Sequence, residues 1–185
     1  GIEVTNCKFT DNFAEGGAAI GFSYIDCSDV YIDGCKFEDN TAVNQGGAIR
    51  FPTTEHHVKI SNSNFTANSA GTGGAGFFNI LDLEIENCRF IDNHDTSQGG
   101  AINTPIVAGS QRSIDIKGSF FSNNYLDNAG QGAAIYTGAD SVTISDSTFQ
   151  DHDANQGGAI YFATVLTDLT IDNSDFIDNS AANGG

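Results

Sequence analysis

The chain has 185 residues, a hydrophobic content of 39% and a formal net charge of −17, which suit one domain with a continuous core. Seven Lys and Arg residues against 24 Asp and Glu residues produce a field that repels phosphate backbones and anionic head groups, so nucleic acid and acidic membranes are disfavoured as partners. No apolar run approaches the ~20 residues that span a bilayer, and the 22 glycines lack the Gly-X-Y period of collagen.

One template recurs seven times along the chain: apolar, x, apolar, x, x, Cys or Ser, x, Phe, x, x, Asn, with His152 replacing Asn in the sixth copy. The copies occupy residues 2–12, 30–40, 58–68, 83–93, 114–124, 142–152 and 169–179. Their phenylalanines are spaced by 28, 28, 25, 31, 28 and 27 residues, at Phe9, Phe37, Phe65, Phe90, Phe121, Phe149 and Phe176. A repeat of about 20 to 50 residues is typical of a solenoid.

A glycine corner and a small apolar strand follow the template, most clearly as Gly-Gly-Ala-Ile at residues 46–49, 99–102 and 157–160. The alternating apolar pair that begins each template predicts a strand with one buried face. Three short strands and three turns per repeat are expected. The sequence therefore predicts an all-β single domain over residues 1–185, a single-stranded right-handed parallel β-helix (β-solenoid) of about seven coils of roughly 28 residues.

The paired motifs resemble the repeats of chlamydial polymorphic outer-membrane proteins. Residues 37–40 with 46–49, and residues 90–93 with 99–102, carry the resemblance most fully. The resemblance implies an extracellular or cell-surface protein of β-helical fold, with adhesion as the usual role.

Aspartates recur beside the Asn position of the template. Carboxylates one coil apart repel each other, and a bound calcium ion would relieve that repulsion. The pairs Asp11/Asp39 and Asp151/Asp178 are the candidate metal ligands. No cofactor is required by the sequence, and the alternative interpretation is an acidic face that is simply solvated.

Three cysteines are candidates for disulfide bonds. Cys7 and Cys35 occupy the same small inward position in neighbouring coils, within disulfide range if the register holds, and Cys27 could instead reach Cys35. Free, buried thiols are the alternative.

A binding surface is predicted on the strand after the glycine corner. Phe77, Tyr136 and Tyr161 share one outward position there, and exposed aromatic residues often contact sugars or partner proteins. Burial under a neighbouring segment is the alternative.

Asn64 begins the only Asn-x-Ser/Thr sequon and is a candidate for glycosylation.

Two structural roles and one enzymatic role follow from these features. The chain is expected to be an extracellular structural or adhesive solenoid, whose partners are flanking repeats of the same protein, further copies stacked head to tail, or surface glycans. The alternative is a polysaccharide-binding or polysaccharide-cleaving protein, although the basic residues that a groove for acidic polymers would need are scarce. His56 and His57 are interpreted as solvated loop residues.

Overall fold

The computed structural model describes residues 1–23, 29–53, 56–109 and 111–184, which form a parallel β-solenoid of six complete coils and three strands of a seventh. The solenoid predicted from the repeat is therefore confirmed. None of the described residues lies in a helix, so this part of the chain has no helix that could cross a membrane.

Each complete coil contains four short strands. The first three coils are β1 (Ile2–Thr5), β2 (Lys8–Thr10), β3 (Phe13–Gly16), β4 (Ile20–Gly21), β5 (Asp29–Asp33), β6 (Lys36–Glu38), β7 (Thr41–Gln45), β8 (Ile49–Phe51), β9 (His57–Ser61), β10 (Asn64–Thr66), β11 (Ser69–Ala70) and β12 (Gly76–Phe78). The next three are β13 (Asp82–Glu86), β14 (Arg89–Ile91), β15 (His94–Asp95), β16 (Ile102–Thr104), β17 (Ser113–Lys117), β18 (Phe120–Ser122), β19 (Tyr125–Leu126), β20 (Ile135–Thr137), β21 (Ser141–Ser145), β22 (Thr148–Gln150), β23 (Asp153–Gln156) and β24 (Ile160–Phe162). The seventh coil contributes β25 (Asp168–Asp172), β26 (Asp175–Ile177) and β27 (Ser180–Asn183).

Equivalent strands of successive coils pair in parallel and build four sheets along the axis. Sheet 1 runs from β1 to β25, sheet 2 from β2 to β26 and sheet 3 from β3 to β27, each with seven strands, whereas sheet 4 runs from β4 to β24 with six. We call the turns from sheet 1 to 2, from 2 to 3 and from 3 to 4 the first, second and third corners. The expectation of three strands per coil was wrong, because sheet 3 was missed.

The third strand of each coil escaped detection because it carries almost no apolar pattern. Its inward position is a small alanine in most coils, such as Ala42 and Ala70, and the flanking residues are polar. In the fourth coil, Asp95 takes this inward position, where its carboxylate accepts backbone hydrogen bonds from Gly73, Ser97 and Gln98.

The core is organised as columns of identical side chains. All seven template phenylalanines stack along sheet 2, with ring centroids 4.6 to 5.0 Å apart and planes within 3° to 7° of parallel. Phe37, Phe65 and Phe121 are fully buried, and each such ring contributes about 1.5–3 kcal/mol through burial. The apolar pairs of sheet 1, such as Val30 and Ile32, form the facing wall.

A ladder of buried amides follows the second corner. Asn40 Nδ2 donates to Asn68 Oδ1 at 2.9 Å and to the carbonyl of Phe9 at 3.1 Å, and the same pattern repeats at Asn68 and Asn93. Each Oδ1 also accepts the backbone N–H of the preceding ladder residue, as Asn68 Oδ1 does from Asn40 at 3.2 Å. The Asn column is therefore a structural element whose polar atoms are satisfied inside the core.

The corners require residues that tolerate a left-handed backbone. All seven residues at the second corner have φ between 50° and 59°: Asp11, Asp39, Ala67, Asp92, Asn123, Asp151 and Asp178. Asn and Asp adopt this conformation more readily than other residues with a Cβ. At the third corner, Gly46 has φ 64°, and a Cβ there would lie 2.1 Å from the carbonyl oxygen of Ile49. The conformation of the corners thus explains much of the template.

Ala67 is the one second-corner residue whose side chain is not Asn or Asp. Replacing Ala67 (φ 53°) by Gly should raise the free energy of unfolding by about 1 kcal/mol, because the left-handed strain is relieved. Urea unfolding measures the change. The control is Ala14→Gly in β3, where φ is not positive and a loss of stability is expected; equal effects at both sites would contradict the explanation.

His152 replaces an amide in the buried ladder and makes the fold sensitive to acid. Asn124 Nδ2 donates to His152 Nε2 at 3.2 Å, and His152 Nδ1 donates to Asn179 Oδ1 at 2.8 Å, which requires a neutral ring. Burial lowers the pKa of His152 from 6.5 to about 4. The unfolded chain binds a proton below pH 6.5 while the folded chain does not, so stability should fall by about 3 kcal/mol between pH 6.5 and 4.

His152→Asn should remove this loss, since it restores the ladder amide. Burial raises the pKa of Asp95 to about 6, which acts in the opposite direction, but equally in both proteins. Comparing urea unfolding of the two proteins at pH 7 and 4.5 therefore isolates the histidine. An identical pH dependence in both would rule out His152 as its source.

Candidate functional site

The four candidate calcium ligands lie at the second corner. Asp11, Asp39, Asp151 and Asp178 all have positive φ, so the backbone alone accounts for their residue type. Among the described residues, no group of three or more His, Cys, Asp or Glu side chains is arranged to hold a metal ion. Calcium binding at these pairs stays a prediction.

The cysteines at the small inward position belong to a second ladder. Cys7 N–H donates to Cys35 Sγ at 3.4 Å, and Cys35 N–H donates to Ser63 Oγ at 3.0 Å. Cys7, Cys35 and Cys88 are free thiols, so the predicted Cys7–Cys35 bond is not formed. Burial raises the pKa of Cys88 to about 12, which keeps that thiol protonated. Cys27 lies outside the described residues, and its pairing stays a prediction.

The aromatic column of sheet 4 has the predicted register but not the predicted exposure. Phe77, Asn103, Tyr136 and Tyr161 occupy the same position in four successive strands of sheet 4. The two tyrosine rings stack with their centroids 5.7 Å apart. Phe77 and Tyr136 are nevertheless buried and Tyr161 is half-buried, so an exposed aromatic surface there was a wrong expectation.

The third corner covers this column. A Cβ on Gly73 would lie 3.2 Å from Asn103 Cβ, and Asn103 Nδ2 donates to the carbonyl of Gln98 at 3.2 Å. Likewise Arg50 Nε donates to Gln45 Oε1 at 3.0 Å. The chain before the corner therefore packs on the side chains after it, which a strand pattern alone does not reveal.

The glycosylation candidate Asn64 lies on sheet 2, between Lys36 and Arg89 of the neighbouring coils, and is half-buried. Its glycosylation stays a prediction.

A polar groove of about 440 Å³ lies on the outward face of sheet 1, over the second to fifth coils. We call it the sheet 1 groove. Two rows of outward residues form it, one from strand to strand through Tyr31, Lys59, Glu84 and Asp115, and the other through Asp29, His57, Asp82 and Ser113. The alternate residues of the same strands point into the core, so the side chains of the groove project from a firmly packed base.

Ion pairs connect the strands across the groove. Lys59 Nζ lies 3.3 Å from Glu84 Oε2 and 3.2 Å from Glu86 Oε2, and hydrogen bonds to Glu86 and Glu84 raise the pKa of the lysine. His57 Nδ1 lies 2.5 Å from Asp82 Oδ2, and Ser113 Oγ donates to the other oxygen of Asp82.

The order of the three residues Ser113, Asp82 and His57 decides what chemistry they can perform. The hydroxyl donates to the carboxylate and not to the imidazole, so His57 is not placed to take the proton of Ser113. A serine nucleophile needs that contact. Ser113 and His57 therefore do not form the contact that activates a serine nucleophile.

Sequence reasoning assigned no role to the sheet 1 groove. His57 was interpreted as a solvated loop residue, but it begins strand β9, and its neighbour His56 is buried. The available signal was the polar or charged residues at alternate positions of β5, β9, β13 and β17, such as Lys59, Glu84 and Asp115. Only the register between coils turns those scattered charges into one surface.

The seventh coil leaves its core columns open. Leu169, Ile171 and Phe176 are 44% to 46% exposed, although their counterparts in the middle coils are buried. A hollow of about 280 Å³ lies beside β24 and is lined in part by Ile160 and Phe162.

A family model described as the right-handed β-helix region matches residues 1–176. The chain belongs to the right-handed β-helix family. This match confirms the predicted fold class, while the narrower resemblance to chlamydial polymorphic outer-membrane proteins stays a prediction. Comparison with curated proteins and with solved structures finds no significant match. Right-handed β-helices include pectate lyase-like enzymes as well as proteins without catalytic activity, so membership alone does not assign an activity.

Proposed function

We propose that this β-helix is a structural and adhesive module of an extracellular surface, sheath or filament, in which coils of one chain stack on those of another. The observation that carries the proposal is the stacking of like side chains from coil to coil, above all the seven phenylalanines of sheet 2, whose ring centroids are 4.6 to 5.0 Å apart. Buried apolar surface drives association, and any coil of the same template can extend these columns in the register that the described coils share. The extracellular setting is supported by the resemblance of the repeats.

The first coil has the residues that such a junction needs. Stacking the first coil on the seventh would place Phe9 over Phe176, and Ile2 and Val4 over Leu169 and Ile171, in the register that all other coils use.

Hydrogen bonds and charge favour one orientation. In the first five coils the ladder asparagines donate toward the following coil, so Asn179 is placed to donate in the same way to Asn12 of a first coil stacked on it. On sheet 2, the column that starts with Lys8 ends with Asp175, and the sequence contains no Lys or Arg after Lys117. Opposite charges would therefore meet head to tail, whereas two equal ends would not match.

We expect the 185-residue chain to form rods that lengthen with concentration, as measured by sedimentation velocity and negative-stain electron microscopy. Asp175→Lys should weaken association about tenfold, because attraction to Lys8 becomes repulsion. Adding Lys8→Asp should restore it. Asp172→Lys is the matched control, since that column begins with Thr5. Rods of one length at every concentration would contradict the proposal.

Polysaccharide binding is a second candidate function, favoured by the sheet 1 groove. The groove combines one exposed aromatic ring, Tyr31, with carboxylate, hydroxyl and ammonium groups on neighbouring strands. Such a mixture of apolar and polar groups is typical of ligand sites. We propose that the groove binds a polysaccharide through this mixture of groups.

A further inference from the structure

The charge of the sheet 1 groove points to the class of its ligand. Four carboxylates line the groove, from Asp29, Asp82, Glu84 and Asp115, against the single ammonium of Lys59 and the imidazole of His57. Glu84 and Asp115 are paired directly across neighbouring strands. The groove therefore presents an excess of negative charge, as does the whole chain with its net charge of −17.

The basic group of the groove is already engaged. Lys59 contacts the carboxylates of both Glu84 and Glu86, so it offers little attraction to a further anion. An acidic sugar polymer would meet more carboxylates than basic groups and would be repelled, whereas a cationic ligand would be attracted. The charge of the groove therefore distinguishes cationic glycans from acidic ones, which its shape alone would not distinguish.

Tyr31 supplies the second feature. Its side chain is 46% exposed and lies in the same row as Lys59, Glu84 and Asp115, at the start of the groove. An aromatic face attracts both the C–H groups of a sugar ring and a nearby ammonium group. The carboxylates one and two strands beyond Lys59 can accept hydrogen bonds from hydroxyl or ammonium donors.

We propose that the sheet 1 groove binds a glycan with free amino groups, with Tyr31 as the stacking platform and Glu84 and Asp115 as acceptors for the ammonium and hydroxyl groups. The proposal rests on the second candidate function and gives it a ligand class. The glycan chain lies along the solenoid axis and contacts successive strands, because the polar rows run in that direction.

Isothermal titration calorimetry at pH 6 and low salt tests the proposal with three hexasaccharides: glucosamine, N-acetylglucosamine and galacturonic acid. We expect the glucosamine hexamer to bind, the acetylated hexamer to bind at least tenfold more weakly and the acidic hexamer not to bind. Added salt should weaken binding. If an uncharged or acidic hexamer binds best, the amino-sugar class is wrong while glycan binding stands; if none binds, both fail.

Variants then locate the site. Tyr31→Ala and Asp115→Asn should each weaken binding of the glucosamine hexamer about tenfold. Both side chains are on the surface, and thermal unfolding verifies that each variant folds. Asp172→Asn, on the same sheet but outside the groove, removes the same charge and should bind like the parent chain. Equal loss in Asp115→Asn and Asp172→Asn would overturn the groove as the site, since only overall charge would then matter.

Discussion

Strand pairing between successive coils is the constraint on which the rest of the molecule depends. Parallel strands lie about 4.8 Å apart, so every residue is held one strand spacing from its equivalent in the next coil. The phenylalanine rings stack at 4.6 to 5.0 Å because the backbone sets that distance. Amides, hydroxyls and thiols follow the same spacing and bond from coil to coil, which gives the fold buried polar ladders without unsatisfied groups along them.

The sequence predicted the parts of the fold in which the same residue must recur. Phe9 and its counterparts mark the core, and the glycines mark the third corner, because few alternatives fit those positions. Sheet 3 was not predictable in the same way. Its inward position needs only a small side chain, and strands such as β11 and β15 have two residues each, so no alternating pattern can develop.

The functional surfaces were harder to predict than the core. Phe77 and Tyr136 are outward by strand alternation yet buried, because the third corner folds back over them. The sheet 1 groove was missed for the opposite reason: Tyr31, Lys59 and Asp115 are far apart in sequence and become neighbours only through the register. A side chain that varies between coils carries no repeat signal, although variation is what distinguishes one part of a solenoid from another.

Charge is distributed unevenly along the axis of the solenoid. Residues 1–117 contain 7 basic and 15 acidic residues, a net −8, whereas residues 118–185 contain no Lys or Arg and 9 acidic residues, a net −9 over a much shorter length. Charge density therefore rises along the axis, and the molecule has a dipole moment parallel to it. Beside any negatively charged surface, such a molecule turns its later coils away from the surface and toward the medium.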